Sequence, residues 1–95
     1  MQTYICQIDV NEREYQNPQE LVSVWGTVHE DIERLGGDVR STYAVLGNFD
    51  FHLIVDVPDD EVAFQISQSI ERYGLNTTTV RALPLERISD LVDDI

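Results

Sequence analysis

The chain has 95 residues, 42% of them hydrophobic, enough for one modest core and therefore one domain. Charged residues make up an ordinary 25%, but 18 acids stand against 6 bases, all of them arginine, giving a net charge of −12 with no lysine at all. Such a chain repels a phosphate backbone and an anionic bilayer, so neither nucleic acid nor a membrane is an expected partner.

Residues 3–10 alternate Tyr4, Cys6, Ile8 and Val10 with Thr3, Gln7 and Asp9, the two-residue period of a half-buried strand, with Ile5 as the exception. After a polar stretch at 11–16, Asn17, Pro18 and Glu20 mark a helix start: an N-cap, a proline at the first helical position and an acid in the first turn. Leu21, Val24, Trp25, Val28, Ile32 and Leu35 then recur at helical spacing until Gly36 and Gly37 end the run. Residues 39–46 read as a second strand and 51–57 as a third, joined through a turn at Gly47 and Asn48 into an antiparallel hairpin. Pro58 ends that strand. Asp59, Asp60 and Glu61 place carboxylates at the start of a second helix, whose apolar stripe is Val62, Ala63, Ile66, Ile70 and Tyr73. Gly74 closes it, and the threonine-rich segment 77–82 is a fourth strand. Beyond Pro84, residues Leu85, Ile88, Leu91, Val92 and Ile95 outline a C-terminal amphipathic helix.

The order β-α-β-β-α-β with a tail helix predicts an α+β, ferredoxin-like sandwich: a four-stranded antiparallel sheet with both helices on one face. Residues 1–84 are read as this domain, and 85–95 as a helix belonging to it. The other sheet face, expected to carry Ile5, Gln7, Thr42, Ala44, His52 and Ile54, is too apolar for full solvation and too polar for a dry core. It is expected to be a subunit interface, making a homodimer packed sheet to sheet, or a ligand pocket.

On that face His52 is the most interesting titratable group, and Asp50 shares its parity, so the carboxylate could orient the imidazole for acid-base work. The plainer reading of His52 is a hydrogen bond at an interface. His29 follows Trp25 by one helical turn; the pair could form a shelf for a small molecule, or simply the edge of the core. Tyr43 and Tyr73 carry hydroxyls that could meet a ligand, although tyrosines at such positions usually pack the ring and wet the oxygen. Arg81 could receive an anionic ligand or make an ordinary ion pair. Cys6 reads as a buried filler, and one cysteine with two histidines offers no zinc spacing, so neither metal nor cofactor is expected. Asn76, Thr77 and Thr78 match a glycosylation triplet inside a strand, where it would go unused. No apolar run approaches the ~18 residues that span a bilayer, and residues 1–10 lack signal-peptide character, so a cytoplasmic protein is expected.

Two stretches resemble a known family. Leu46, Gly47, Asn48, Phe49 and Asp50, leading into an apolar strand and Pro58-Asp59-Asp60-Glu61, are similar to the Gly-x-Tyr-Asp segment of the GYD family. Residues 77–84 look like that family's closing strand, and Phe49 stands where the family has its tyrosine. The resemblance implies a ferredoxin-like fold in the dimeric α/β-barrel superfamily. Related barrels include cofactor-free monooxygenases, haem-degrading enzymes and the sensing domains of Lrp/AsnC-type regulators, whose hairpin residues 45–57 also resemble; the helix-turn-helix of those regulators has no counterpart here.

The leading expectation is a dimeric, non-catalytic ligand-binding or regulatory module with its pocket at the open sheet face. The alternatives are a cofactor-independent small-molecule enzyme of monooxygenase or isomerase type, using His52 with Asp50 or Tyr43, and a purely structural assembly subunit. Eighteen carboxylates on so small a surface repel one another unless salt screens them, which leads to the expectation of a halophilic, haloarchaeal source.

Overall fold

The alternating and helical stripes become seven elements in a computed structural model that describes residues 1–10 and 18–93. In chain order they are β1 (Gln2–Val10), α1 (Pro18–Arg34), β2 (Asp38–Ala44), β3 (Phe51–Val57), α2 (Asp60–Glu71), β4 (Leu75–Ala82) and α3 (Leu85–Asp93). The strands form one sheet in the order β2-β3-β1-β4, with every neighbouring pair antiparallel. This is the ferredoxin-like α+β arrangement the sequence predicts. The cap expected at Asn17, the polar stretch 11–16 and the last stripe residue, Ile95, lie outside the described residues.

One face of the sheet is sealed. Cys6 and Ile8 of β1, Leu53, Val55 and Val57 of β3 and Leu75 of β4 pack against Val28 and Ile32 of α1 and Ala63, Ile66 and Ile70 of α2. None of these side chains is more than 6% exposed. The helices are fixed at their ends by the local chemistry of the chain. Asp59 caps α2 by accepting the Val62 amide at 2.9 Å. Gly36 ends α1 at φ +101°, a conformation that side chains with a Cβ resist. Gly37 is needed for a different reason: a Cβ there would lie 2.7 Å from Ile66 Cδ1 and 2.8 Å from Ile32 Cγ2, so its bareness lets β2 start tight against both helices.

The second strand departs from the expected alternation. The register of β2 against β3 shifts between Val39 and Ser41, leaving Arg40 as an extra residue in a bulge. Beyond it, Ser41 and Tyr43 lie opposite Ile54 and His52, while Thr42 and Ala44 lie opposite Leu53 and Phe51 on the helix side. The expected outward placement of Thr42 and Ala44 is therefore corrected: one inserted residue reverses which side chains face out. The strand also stops at Ala44 and not at 46, although the Val45 amide still reaches the Asp50 carbonyl at 2.9 Å. At the other edge, β4 begins at Leu75, two residues before the threonine run.

Candidate functional site

Neither α1 nor α2 covers the second face of the sheet. The register places Thr3, Ile5 and Gln7 of β1, Ser41 and Tyr43 of β2, His52, Ile54 and Asp56 of β3 and Thr78, Val80 and Ala82 of β4 upon it. Ile5 and Ile54 occupy the middle, directly opposite each other, and Val80 flanks Ile5. The polar groups gather toward the two ends of β3, His52 at its start and Asp56 near its finish.

At the Asp56 end the side chains are organised. Asp56 is 8% exposed although it carries a charge, and both its oxygens are engaged. The Thr3 hydroxyl donates to Oδ1 at 2.6 Å, and Arg40 Nη1 donates to Oδ2 at 2.7 Å. The Thr3 hydrogen bond, joined by the hydrogen bond and charge of Arg40, holds this carboxyl below the usual carboxylate range despite its burial. Val39 pairs with Val55 on the helix side, so alternation turns the next residue, Arg40, onto the open face, where it reaches Asp56. Around the triad lies a cavity of about 330 Å³ lined by Thr3, Arg40, Ser41, Ile54, Asp56 and Pro84. The cavity thus has an apolar wall, a hydroxyl and a guanidinium whose side chain is 62% exposed. A guanidinium carries five N–H donors, so one bond to Asp56 leaves others to meet an anionic group.

The residues singled out in the sequence divide into three groups. Tyr43 and His52 are direct cross-strand partners on the open face, with Gln7 on the other side of His52. The Phe49 ring lies 6.1 Å from the imidazole, centroid to centroid. Asp50 spends its carboxylate on the chain, accepting the Val10 amide at 2.9 Å, while its own amide reaches the Ile8 carbonyl at 2.8 Å. Trp25 and His29 belong to the opposite, helix-covered side. The indole stacks at an angle on Phe51 at 5.1 Å and on His29 at 5.8 Å, and His29 Nε2 is hydrogen-bonded to Thr42 Oγ1 at 3.0 Å. Among the described residues the buried Trp25 Nε1 has no acceptor.

Arg81 also points to the helix side, 5.8 Å over the Tyr4 ring, whose hydroxyl donates to Asp60. That hydrogen bond raises the Tyr4 phenol above its ordinary range. Tyr73 likewise donates to Asp31, which tethers α2's end to α1. Cys6 is fully buried, its thiol pushed up by burial, with Thr79 Oγ1 3.7 Å from the sulfur. Among the described residues no group of three or more His, Cys, Asp or Glu is placed to hold a metal ion, and no helix is long and apolar enough to cross a membrane.

Thr3, Arg40 and Asp56 were not among the sequence candidates. The one visible signal was Asp56 itself, an acid inside the apolar run Leu53-Ile54-Val55-Asp56-Val57.

Comparison with known proteins fixes the family. The profile of the GYD domain matches residues 4–92, nearly the whole chain. The chain belongs to the GYD family. Among curated proteins no sequence relative matches this GYD domain. Solved structures share its fold. The leucine response regulatory protein of Mycobacterium tuberculosis superposes with a TM-score of 0.63 over 87% of the GYD chain, at 19% identity. A feast or famine regulatory protein of M. tuberculosis, complexed with L-methionine, gives 0.62 over 88% at 18% identity. The GYD chain spans only about half of each, 51% of their length.

Proposed function

We propose that this GYD domain is a dimeric ligand-binding or regulatory module, non-catalytic, whose ligand lies on the open sheet face. The observation that carries the reading is the cavity beside the Thr3–Asp56–Arg40 triad: a buried carboxylate orients a guanidinium next to an apolar floor. A buried charge with both oxygens satisfied is expensive to assemble, and here its product is an arginine held in one place at a cavity mouth. The ligand class that fits is a small carboxylate with an apolar side chain, its carboxylate on Arg40 and its apolar part on Ile54 and Pro84. An amino acid has this chemistry, and the methionine complex of the feast or famine regulatory protein supports the class. A second copy stacked on the same face would close the cavity from above and cover the half-apolar surface around Ile5 and Ile54.

Calorimetric titration with apolar amino acids and their 2-oxo analogues tests this reading. Binding to the native chain that falls at least about tenfold in Arg40→Ala is expected. No heat with any small carboxylate, or binding indifferent to Arg40→Ala, contradicts it.

The pairing of Tyr43 with His52 across β2 and β3 supports a second reading, a cofactor-independent enzyme of monooxygenase or isomerase type using that pair. Turnover abolished by His52→Ala would support it. A dimer with neither ligand nor turnover would be an assembly subunit. We further propose a halophilic, cytoplasmic setting, on the strength of the −12 charge and the absence of lysine.

A further inference from the structure

We propose that α3 is an exchange arm that docks against a second copy of this chain. The inference rests on the dimer proposed above and goes beyond it, because it assigns the helix a place in the partner's surface. Leu85, Ile88, Leu91 and Val92 are 80%, 40%, 44% and 58% exposed, and α3 buries none of its residues. It packs against none of the other described elements. A helix of nine residues is marginal in water by itself, so burial of its apolar stripe has to hold it.

The chain's own sheet is a poor candidate for that burial. Only Leu83 and Pro84 separate β4 from α3, and the amides of Arg87 and Ile88 already bond to the Pro84 carbonyl at 2.9 and 3.4 Å. With proline's φ fixed as well, the link has little slack to fold the helix back. Its point of departure favours a second copy. Pro84 lines the open-face cavity together with Thr3 and Ile54, so α3 leaves from the rim of the surface on which the copy would stack.

Area supports the same occupant. Four strands at ~4.8 Å spacing and about seven residues long at ~3.3 Å each give the open face a footprint of roughly 440 Å². A stable interface takes about 800 Å² from each partner. An arm ~14 Å long and ~10 Å across adds roughly 140 Å². In a two-fold dimer each chain gives one arm and receives another, which brings the footprint to roughly 720 Å². The sheet alone is at the low end; with both arms the dimer approaches the usual size.

A photo-crosslinker on Leu91→Cys tests the arm, since the native Cys6 is fully buried and leaves the introduced thiol as the reactive one. The labelled chain is refolded at high salt with a size-tagged chain lacking that substitution, and then irradiated. An adduct joining labelled to tagged chain is the expected result. Adducts confined within one chain, or none, alongside a dimeric mass by light scattering, overturn the arm and leave the dimer. A monomeric mass overturns both. Leu91→Asp gives a second reading: with the circular dichroism spectrum retained, the dimer dissociation constant should rise by at least about 30-fold. An unchanged constant contradicts the proposal.

Discussion

Asp56 interrupts an otherwise apolar strand, and its two oxygens are taken by Thr3 and Arg40. Its carboxyl is held below the ordinary range in the folded chain, so the stabilisation it contributes is present above its unfolded value, ~3.9, and is lost as pH falls through the folded value. Asp31 acts with the same sign, lowered first by the Tyr73 hydroxyl and then by Arg34. Urea unfolding followed from about pH 6 down to pH 2 should therefore show stability declining below about pH 4. Asp56→Asn should cost roughly 1–2 kcal/mol at neutral pH and flatten that decline without abolishing it, because Asp31 remains. Parallel pH curves for the two chains would show that the Asp56 carboxylate contributes nothing. The acid was visible in the sequence as an odd residue in an apolar run, but its partners were not. Thr3 lies 53 positions away and Arg40 lies 16 away across a bulge, and no local pattern records either distance.

Elements were legible where their own period dictated burial. The stripe from Leu21 to Leu35 predicts which face of α1 is covered, and Val28 and Ile32 are fully or almost fully buried. Asp59 caps α2 because a carboxylate before a helical run satisfies a free amide whatever the tertiary context. The bulge in β2 was not legible, because it is settled by pairing with β3, and its one extra residue exchanges Thr42 and Ala44 for Ser41 and Tyr43 on the open face. The mate of His52 on that face is accordingly Tyr43, while Asp50 is engaged at the end of β1. Where β2 begins, Gly37 lets strand and helices touch. Gly37→Ala would set a methyl 2.7 Å from Ile66 Cδ1, and the expected destabilisation is about 1–3 kcal/mol. Thermal unfolding should register it as a drop of at least about 4 °C. No drop would mean that Ile66 and Ile32 yield freely.

At the scale of the molecule, the opening charge imbalance and the uncovered sheet face belong to different arguments. Net charge speaks to solvent: screening falls from about 10 Å at 0.1 M salt to about 3 Å at 1 M, so a −12 surface of this size should gain stability over that interval. A melting temperature that rises with potassium chloride is the expected outcome, and one indifferent to salt would remove the halophilic reading. The ferredoxin-like order was readable because alternating strand and helix signals leave few topologies open. The candidate site was less readable, since the triad that builds the cavity, and a helix that packs on none of the other described elements, emerge only when distant segments are placed together. Both features support the proposal that a ligand binds on the open face and that a second copy of this GYD domain completes the site. Light-scattering mass at high salt tests that most directly, using the native chain beside Ile54→Arg, which would set a charge in the middle of the proposed interface. The account predicts twice the chain mass for the native protein and a single chain mass for the variant. A single chain mass for the native protein, or an undiminished dimer in Ile54→Arg, would contradict it.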